Sequence, residues 1–125
     1  MDLQKRTVFI VSDGTGITAE TFGHSVLSQF THKFSFDQER EPFVNSAERA
    51  KDVAQKINDA AARDDLPPIV FSTIVDEEIN SFLRTSKCIY MDIFAACVQH
   101  LEESLHTKSD PAIGRSHIRA TSDAY

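Results

Sequence analysis

A short polar segment near the start of the chain carries the residue types most suited to chemistry. Ser12–Gly16 supplies two hydroxyl groups, a carboxylate and two glycines directly after Val8–Val11, an apolar run typical of a buried strand. A helical pattern follows, and Thr15 or Thr18 is predicted to cap that helix. Backbone N–H groups at a helix start, beside small glycines, form a seat for an anion such as phosphate. Turns of this kind also occur as plain connections, so the pattern by itself leaves both interpretations open.

Two later apolar runs carry similar residues. Ser72 and Thr73 lie in the first of them, Ile69–Val75, and Asp92 follows the second. If the strands are parallel, their carboxyl ends share one edge of the sheet, where open α/β sheets bind ligands. We therefore predict a crevice for phosphate, another ligand or a partner, with Asp13 and Asp92 as candidate catalytic carboxylates and no metal ligands. Its predicted members are Ser12, Asp13, Gly14, Thr15, Gly16, Thr18, Thr73 and Asp92.

The carboxylates also have a structural interpretation, because Asp commonly caps helices and forms turns. Asp76 precedes a helical pattern, and for this residue we favour the cap. For Asp13 and Asp92 the predicted position at the sheet edge favours a functional role. Glu20 and His24 lie one helical turn apart and are predicted to form a surface pair rather than an acid–base couple.

Several familiar site motifs are absent from the sequence. No glycine is followed by lysine, so a P-loop is missing, and Ala19 stands where a dinucleotide-binding fold has its third glycine. The five histidines form neither H-x-x-x-H nor H-E-x-x-H, which leaves a zinc site without support. Signatures of eukaryotic protein kinases are missing as well. These absences argue against NAD binding and against a zinc enzyme.

The composition indicates one globular domain. The chain has 125 residues and a formal net charge of −6, which argues against a nucleic-acid surface. No stretch approaches the roughly 20 apolar residues that span a bilayer, and the polar start Met1–Arg6 is unlike a signal peptide. Cys88 and Cys97 lie in apolar segments and are predicted to be buried free thiols. Together these features predict a cytoplasmic protein with neither nucleic acid nor membrane as partner.

Strand and helix patterns alternate along the chain. The alternation predicts an α/β fold: an open three-layer sandwich of four mainly parallel strands in the order 2-1-3-4, with helices on both faces. The second strand begins at Lys33–Phe36 and is predicted either to continue as one bent edge strand or to form two pieces. Residues 1–106 are expected to form the N-terminal α/β domain and residues 107–125 a linker. The first helix, predicted over Ile17–Phe30, is expected to face the sheet with Ile17, Phe22, Val26, Leu27 and Phe30.

A series of short segments, in chain order, matches one known family. These segments are Val11–Thr21, Gly23–Ser25, Gln29–Phe30, Pro42–Val44, Phe71–Thr73, Met91–Phe94 and Gly114–His117. With them the chain resembles the N-terminal half of the phosphoenolpyruvate synthase regulatory proteins. That family consists of bifunctional serine/threonine kinases and phosphotransferases related to the plant pyruvate, phosphate dikinase regulatory protein. The resemblance implies a C-terminal domain, with the P-loop, that this chain lacks.

The resemblance also implies an activity. Members of the family inactivate phosphoenolpyruvate synthase by ADP-dependent threonine phosphorylation and reactivate it with phosphate, releasing pyrophosphate. ADP and phosphate are then expected substrates, Mg²⁺ is a candidate cofactor, and the intact protein is expected to be a homodimer. This chain alone is expected to be inactive. Arg115 and His117 match the connection to the second domain and are expected either to contact a phosphate or to form a loosely held tail.

Two other interpretations stay open at this point. The chain is alternatively a protein-docking or dimerisation module without catalytic residues of its own. It is also compatible with a flavodoxin-like receiver of a small anion, which requires the family match to be chance.

Overall fold

The computed structural model of the protein describes residues 3–109. Within this range strands and helices alternate, with a short 3₁₀ turn at Ser28–Phe30. The strands and helices are β1 (Gln4–Val11), α1 (Ile17–Leu27), β2 (Phe34–Glu41), α2 (Ala47–Asp64), β3 (Ile69–Ser72), α3 (Glu77–Arg84), β4 (Ile89–Asp92) and α4 (Ile93–Leu105).

The strands form one parallel sheet in the order β2-β1-β3-β4. From β1 the chain moves first to β2 and then back across β1 to β3, so the direction of winding reverses at β1. This reversal is the switch point at which open α/β sheets bind ligands. The predicted fold class and strand order are confirmed.

Each face of the sheet has its own apolar core. On one face α2 and α3 cover a cluster that contains Phe9 and Val11 of β1. On the other face α1 and the start of α4 cover a cluster that contains Val8, Ile10 and Phe71. Alternate residues of a strand point to opposite faces, so a strand covered on both sides is apolar without interruption. The two cores produce the three-layer arrangement that the sequence predicts.

Small residues bring α1 close to the sheet. Its buried residues are Ala19, Gly23 and Leu27, and a Cβ atom added at Gly23 would lie 2.9 Å from the Phe71 ring. Because α1 approaches the sheet most closely at its small residues, the row of bulkier residues on α1 faces sideways rather than directly onto the sheet. Three residues predicted to face the sheet are exposed: Ile17 and Phe22 of α1, and Phe30 of the 3₁₀ turn. The Phe22 ring keeps a T-shaped contact with the Phe71 ring, with 6.2 Å between the ring centres.

Several element boundaries also differ from prediction. The α-helix stops at Leu27, before the 3₁₀ turn. The second strand is one continuous edge strand that ends at Glu41 and pairs in register with β1 throughout, which selects one of the two predicted alternatives. Pro42 follows and cannot donate to a ladder. The third strand stops at Ser72 because Thr73–Val75 turn away to bond with the loop after β1.

The described residues leave α4 mostly uncovered. None of its residues is buried in this part of the chain. Cys97, which is predicted to be buried, is exposed, whereas Cys88 is partly buried, and both are free thiols. Neither α4 nor any other helix within residues 3–109 is long and apolar enough to span a membrane. The helix ends at Leu105, and the domain boundary after residue 106 stays a prediction.

Candidate functional site

The carboxyl ends of the strands lie along one edge of the sheet, here called the carboxyl edge. The register places Glu41, Val11, Ser72 and Asp92 side by side across β2, β1, β3 and β4. The loops that follow therefore start from one line. Adjacent strands lie about 4.8 Å apart, so the backbones of Val11 and Asp92 are separated by roughly 10 Å. The fold thus brings the predicted crevice residues to one side of the protein.

A pair of buried hydroxyl groups joins the loops after β1 and β3. Thr73 Oγ1 donates to Ser12 Oγ at 3.2 Å, and the Gly14 N–H donates to the same oxygen at 3.0 Å. The Thr73 N–H also donates to the Val11 carbonyl at 3.2 Å. Both hydroxyl side chains are buried. The pair therefore acts as a joint between the two loops, with Ser12 Oγ accepting from both Thr73 and Gly14.

The turn into α1 ends in a helix start without a side-chain cap. Gly16 is the N-cap residue, and its φ of 89° lies in the left-handed region that favours glycine. No side chain of the described residues caps this helix, so the prediction that Thr15 or Thr18 does so is wrong. Both threonines are exposed, and the Thr15 carbonyl accepts a hydrogen bond from Arg40 Nη2 at 2.7 Å. The N–H groups of the first helical turn are thus left for water or a ligand.

The connection between β2 and α2 braces the same turn. The Phe43 N–H donates to the Gly14 carbonyl at 2.9 Å, and the Val44 N–H donates to the Ser12 carbonyl at 2.8 Å. Phe43 has a φ of 56°, a left-handed conformation that is strained for a bulky residue. Its side chain is 57% exposed. Sequence reasoning missed this brace, because nothing in the residue types there signals a positive φ.

Asp13 is a buried carboxylate that ties the loop after β1 to the loop after β3. It is 7% exposed, and its Oδ2 accepts a hydrogen bond from the Val75 N–H at 3.0 Å. Burial raises the pKa of Asp13 above its ordinary value, Asp76 adds to the rise, and the bond from Val75 opposes it. A carboxylate pKa raised by burial is common among groups that transfer protons. Asp13 therefore combines a structural contact with the electrostatics of a candidate base.

Asp76 and Asp92 both cap helices, but in different surroundings. Asp76 is exposed, and its Oδ1 accepts two N–H groups of the first turn of α3, which confirms the cap interpretation. Asp92 Oδ1 accepts the Ala95 N–H at 3.2 Å, and its side chain is 15% exposed. Burial raises the pKa of Asp92, while the bond from Ala95 and the charge of Arg84 oppose the rise. Arg84 Nη2 lies 3.9 Å from Asp92 Oδ2.

A buried amide holds the loop after β3 in place. Asn80 is 2% exposed, and its Nδ2 donates to the Ile74 carbonyl at 2.8 Å. Its Oδ1 accepts from the hydroxyl groups of Ser72 and Tyr90. Burial raises the pKa of Tyr90, so this hydroxyl stays a neutral donor. Sequence reasoning missed both Asn80 and Tyr90. The available signal was Asn80 itself, a polar residue beside an apolar position of the short amphipathic helix α3.

The two candidate carboxylates act separately in this arrangement. Asp13 reaches from the loop after β1 to the loop after β3, whereas Asp92 ends β4, and neither charge is among the causes that shift the pKa of the other. Across residues 3–109, no three His, Cys, Asp or Glu side chains are grouped so that they could hold a metal ion. Arg115 and His117 lie outside the described residues. The edge therefore presents uncapped N–H groups and two independent carboxylates.

A surface depression lies away from this edge. Its lining comes from the end of α4 and the residues that follow: Gln99, Glu102, Glu103, His106, Thr107 and Lys108. Because α4 starts at the carboxyl edge and rises about 1.5 Å per residue, this depression lies toward the opposite edge of the sheet. It does not belong to the candidate site.

The fold and this edge define an α/β domain with a parallel sheet whose winding reverses at β1. The model of the kinase/pyrophosphorylase family matches residues 8–125. Because this match covers most of the chain, the protein belongs to the kinase/pyrophosphorylase family. Its curated relatives include proteins that carry the name phosphoenolpyruvate synthase regulatory protein, from Burkholderia mallei (strain SAVP1) and Burkholderia pseudomallei (strain K96243), each 52% identical over 119 residues.

The aligned region covers 95% of this chain but 43% of each of these relatives. The chain therefore spans less than half the length of the curated relatives that it matches. The predicted resemblance is confirmed at the level of the family.

Proposed function

We propose that this chain is part of a bifunctional serine/threonine kinase and phosphotransferase that regulates phosphoenolpyruvate synthase. In one direction a threonine hydroxyl of the synthase attacks the terminal phosphoryl group of ADP. The new P–O bond forms as the bond to AMP breaks, and the hydroxyl proton passes to a base. In the other direction inorganic phosphate attacks the phosphothreonine. Pyrophosphate is released, and the threonine oxygen regains a proton.

The match of residues 8–125 to the kinase/pyrophosphorylase family carries this proposal. The names of the relatives suggest the target enzyme. At the carboxyl edge, the uncapped start of α1 beside Thr15 and Gly16 would donate N–H groups to a phosphate. Asp13 or Asp92 would orient the attacking hydroxyl and accept its proton. The lysine-bearing phosphate cradle is assigned to the part of the relatives' length that this chain does not cover.

Mg²⁺ commonly binds together with ADP, and the described residues offer it few protein ligands. Mg²⁺ usually binds one or two carboxylates together with substrate phosphates and water. Asp13 and Asp92 belong to different loops and neither shifts the pKa of the other, so each fits as a single protein ligand beside a phosphate. When bound, the ion would neutralise charge on the transferred phosphoryl group.

Matched aspartate variants of the full-length protein test the catalytic part. Asn keeps the helix-capping oxygen and the shape of Asp but cannot act as a base. Asp13→Asn or Asp92→Asn should lower kcat for both reactions by about 10²–10⁴ if that residue is the base. Asp76→Asn, at an exposed cap, is the control and should keep its activity. Full activity in both the Asp13 and the Asp92 variant would remove these carboxylates from the mechanism.

The second candidate function, a protein-docking or dimerisation module, is favoured by the uncovered apolar side of α4. Calorimetric titration of residues 1–125 separates the two functions. Binding of ADP, AMP or phosphate that is lost in Asp13→Asn and Thr15→Ala favours the catalytic role. Binding of phosphoenolpyruvate synthase without any nucleotide signal favours docking. Turnover by residues 1–125 alone would contradict the proposal that this chain is inactive by itself.

The proposal includes a homodimeric intact protein that works in the cytoplasm. The free thiols of Cys88 and Cys97 support a reducing compartment. Light scattering on the full-length protein measures its subunit number, and a monomer at all concentrations would contradict the dimer.

A further inference from the structure

The described chain leaves one apolar-rich helix without a cover. α4 has 13 residues, and none of them is buried in the described part of the protein. Helices of about 12–15 residues are marginal in water and depend on packing of an apolar face. Its larger apolar residues are Ile93, Phe94, Cys97, Val98, Leu101 and Leu105. A helix of this length and composition needs a further packing partner to be stable.

The exposed apolar residues follow one row along α4. Four residues advance an α-helix by about 400°, so residues four apart form a row that drifts slowly around the helix. Ile93, at the start of the row, packs against the core shared with α1. Farther along, Cys97 is exposed, and Leu101 and Leu105 are 56% and 63% exposed. Cys97, Leu101 and Leu105 are called the α4 stripe below.

The topology argues against an added neighbouring strand as the missing cover. The connection through α1 moves from β1 toward β2, and the connections through α2 and α3 move in the opposite direction, on the opposite face. Right-handed crossovers require this pairing of direction and face. Because α4 starts on the face of α1, a strand placed beyond β4 through α4 would need a left-handed crossover, found in only about 2% of cases.

We infer that the α4 stripe is the surface on which the remainder of the same polypeptide packs in a protein of the relatives' length. The aligned region accounts for 43% of each relative, so more than half of their length is available for this contact. α4 is also the last helix before residues 110–125, so the following chain can reach it directly. The inference rests on family membership and length, and it holds whether or not the proposed reaction is correct.

A second copy of the chain fits the α4 stripe less well. Glu102 and Glu103 adjoin Leu101 in the sequence, and the chain carries a formal net charge of −6. A symmetric contact between two such helices would bring like charges together, which opposes association. The remainder of the polypeptide is free of this constraint.

Cys97 provides a direct probe of the contact because its thiol lies on the α4 stripe. Iodoacetamide labelling of the peptide that contains Cys97, followed by mass spectrometry, compares residues 1–125 with the full-length protein. We expect labelling at least about tenfold slower in the full-length protein, since burial withholds a thiol from reagents. Equal rates would overturn the inference. Protection in residues 1–125 alone that rises with concentration would assign the stripe to a second copy and would also overturn it.

Charge substitutions on the α4 stripe test the same contact by disrupting it. In the full-length protein, Leu101→Glu with Leu105→Glu should bring the labelling rate of Cys97 close to that of residues 1–125. Leu66→Glu, at a residue 36% exposed in the loop before β3, is the matched control and should leave the rate unchanged. Circular dichroism of residues 1–125 with the paired change should show an intact fold. Continued protection of Cys97 in the paired full-length variant would overturn the inference.

Discussion

Replacing Gly23 with Ala tests how closely α1 lies on the sheet. The added Cβ would lie 2.9 Å from Phe71 Cδ2 and 3.3 Å from Ile10 Cδ1. Phe71 is 0% exposed and Ile10 is 1% exposed, so neither side chain can move into solvent. Overpacking of this kind costs about 1–3 kcal/mol, whereas the better helix propensity of Ala returns about 1 kcal/mol. We therefore expect Gly23→Ala to lower the free energy of unfolding by about 1 kcal/mol in urea denaturation.

A control and a double variant make this result specific. Ser25 is exposed on the same helix, so Ser25→Ala should gain helix propensity without a clash and slightly stabilise the protein. Phe71→Leu makes room beside Gly23, so the loss in the Gly23→Ala/Phe71→Leu protein should be smaller than the sum of the two single losses. A Gly23→Ala protein more stable than the wild type, or strictly additive losses, would refute the close contact.

Three further substitutions have calculable directions. Phe43→Gly should raise the free energy of unfolding by about 0.5–1 kcal/mol in urea denaturation, because left-handed strain of about 1–2 kcal/mol exceeds the entropy that a glycine loses; a loss of stability would contradict this. Burial raises the pKa of Asp13 from 3.8, so the wild type loses stability as the pH rises through the pKa that Asp13 has in the folded protein. The Asp13→Asn protein should therefore be more stable than the wild type at neutral pH but not at acid pH. The pKa shift of Asp64 has the opposite sign, because Arg63 and Thr7 lower its pKa from 3.8 to about 2. The stability that Asp64 contributes is therefore lost as the pH falls below 3.8. Asp64→Asn should flatten the dependence of stability on pH in that range. Thermal melts from about pH 2 to 8 measure both, and profiles parallel to the wild type would contradict them.

The position of the candidate site could be predicted because it depends on topology more than on side-chain detail. Apolar runs such as Val8–Val11 identify buried strands, and alternating helices impose parallel pairing with right-handed crossovers. These rules place the ends of β1, β3 and β4 at one edge. They bring Ser12, Thr73 and Asp92 to that edge without any knowledge of rotamers.

The remaining features depend on backbone conformation and on contacts far apart in the sequence. Capping propensity favours Thr15 or Thr18, but the left-handed φ at Gly16 makes the glycine itself the cap. Hydrophobicity places Phe22 against the sheet, but Gly23 makes the closest approach, and Phe22 stays 45% exposed with a T-shaped contact to Phe71. Asn80 becomes a hub because the fold brings two hydroxyl groups to it. Local residue types carry little information about any of these outcomes.

Three aspartates at the carboxyl edge show whether helix capping alone accounts for a charged side chain at each position. Asp76 caps α3 with two N–H groups while remaining exposed, so capping accounts for it fully. Asp92 caps α4 through Ala95 with its side chain only 15% exposed, where burial raises its pKa. Arg84, 3.9 Å away and itself 47% exposed, offers weak compensation. Because a neutral Asn caps a helix as well as Asp does, stability alone favours Asn at position 92. Capping therefore leaves the charge of Asp92 unexplained, and the hydrogen bond from Val75 leaves that of Asp13 unexplained, whereas the base of the proposed phosphoryl transfer requires such a charge.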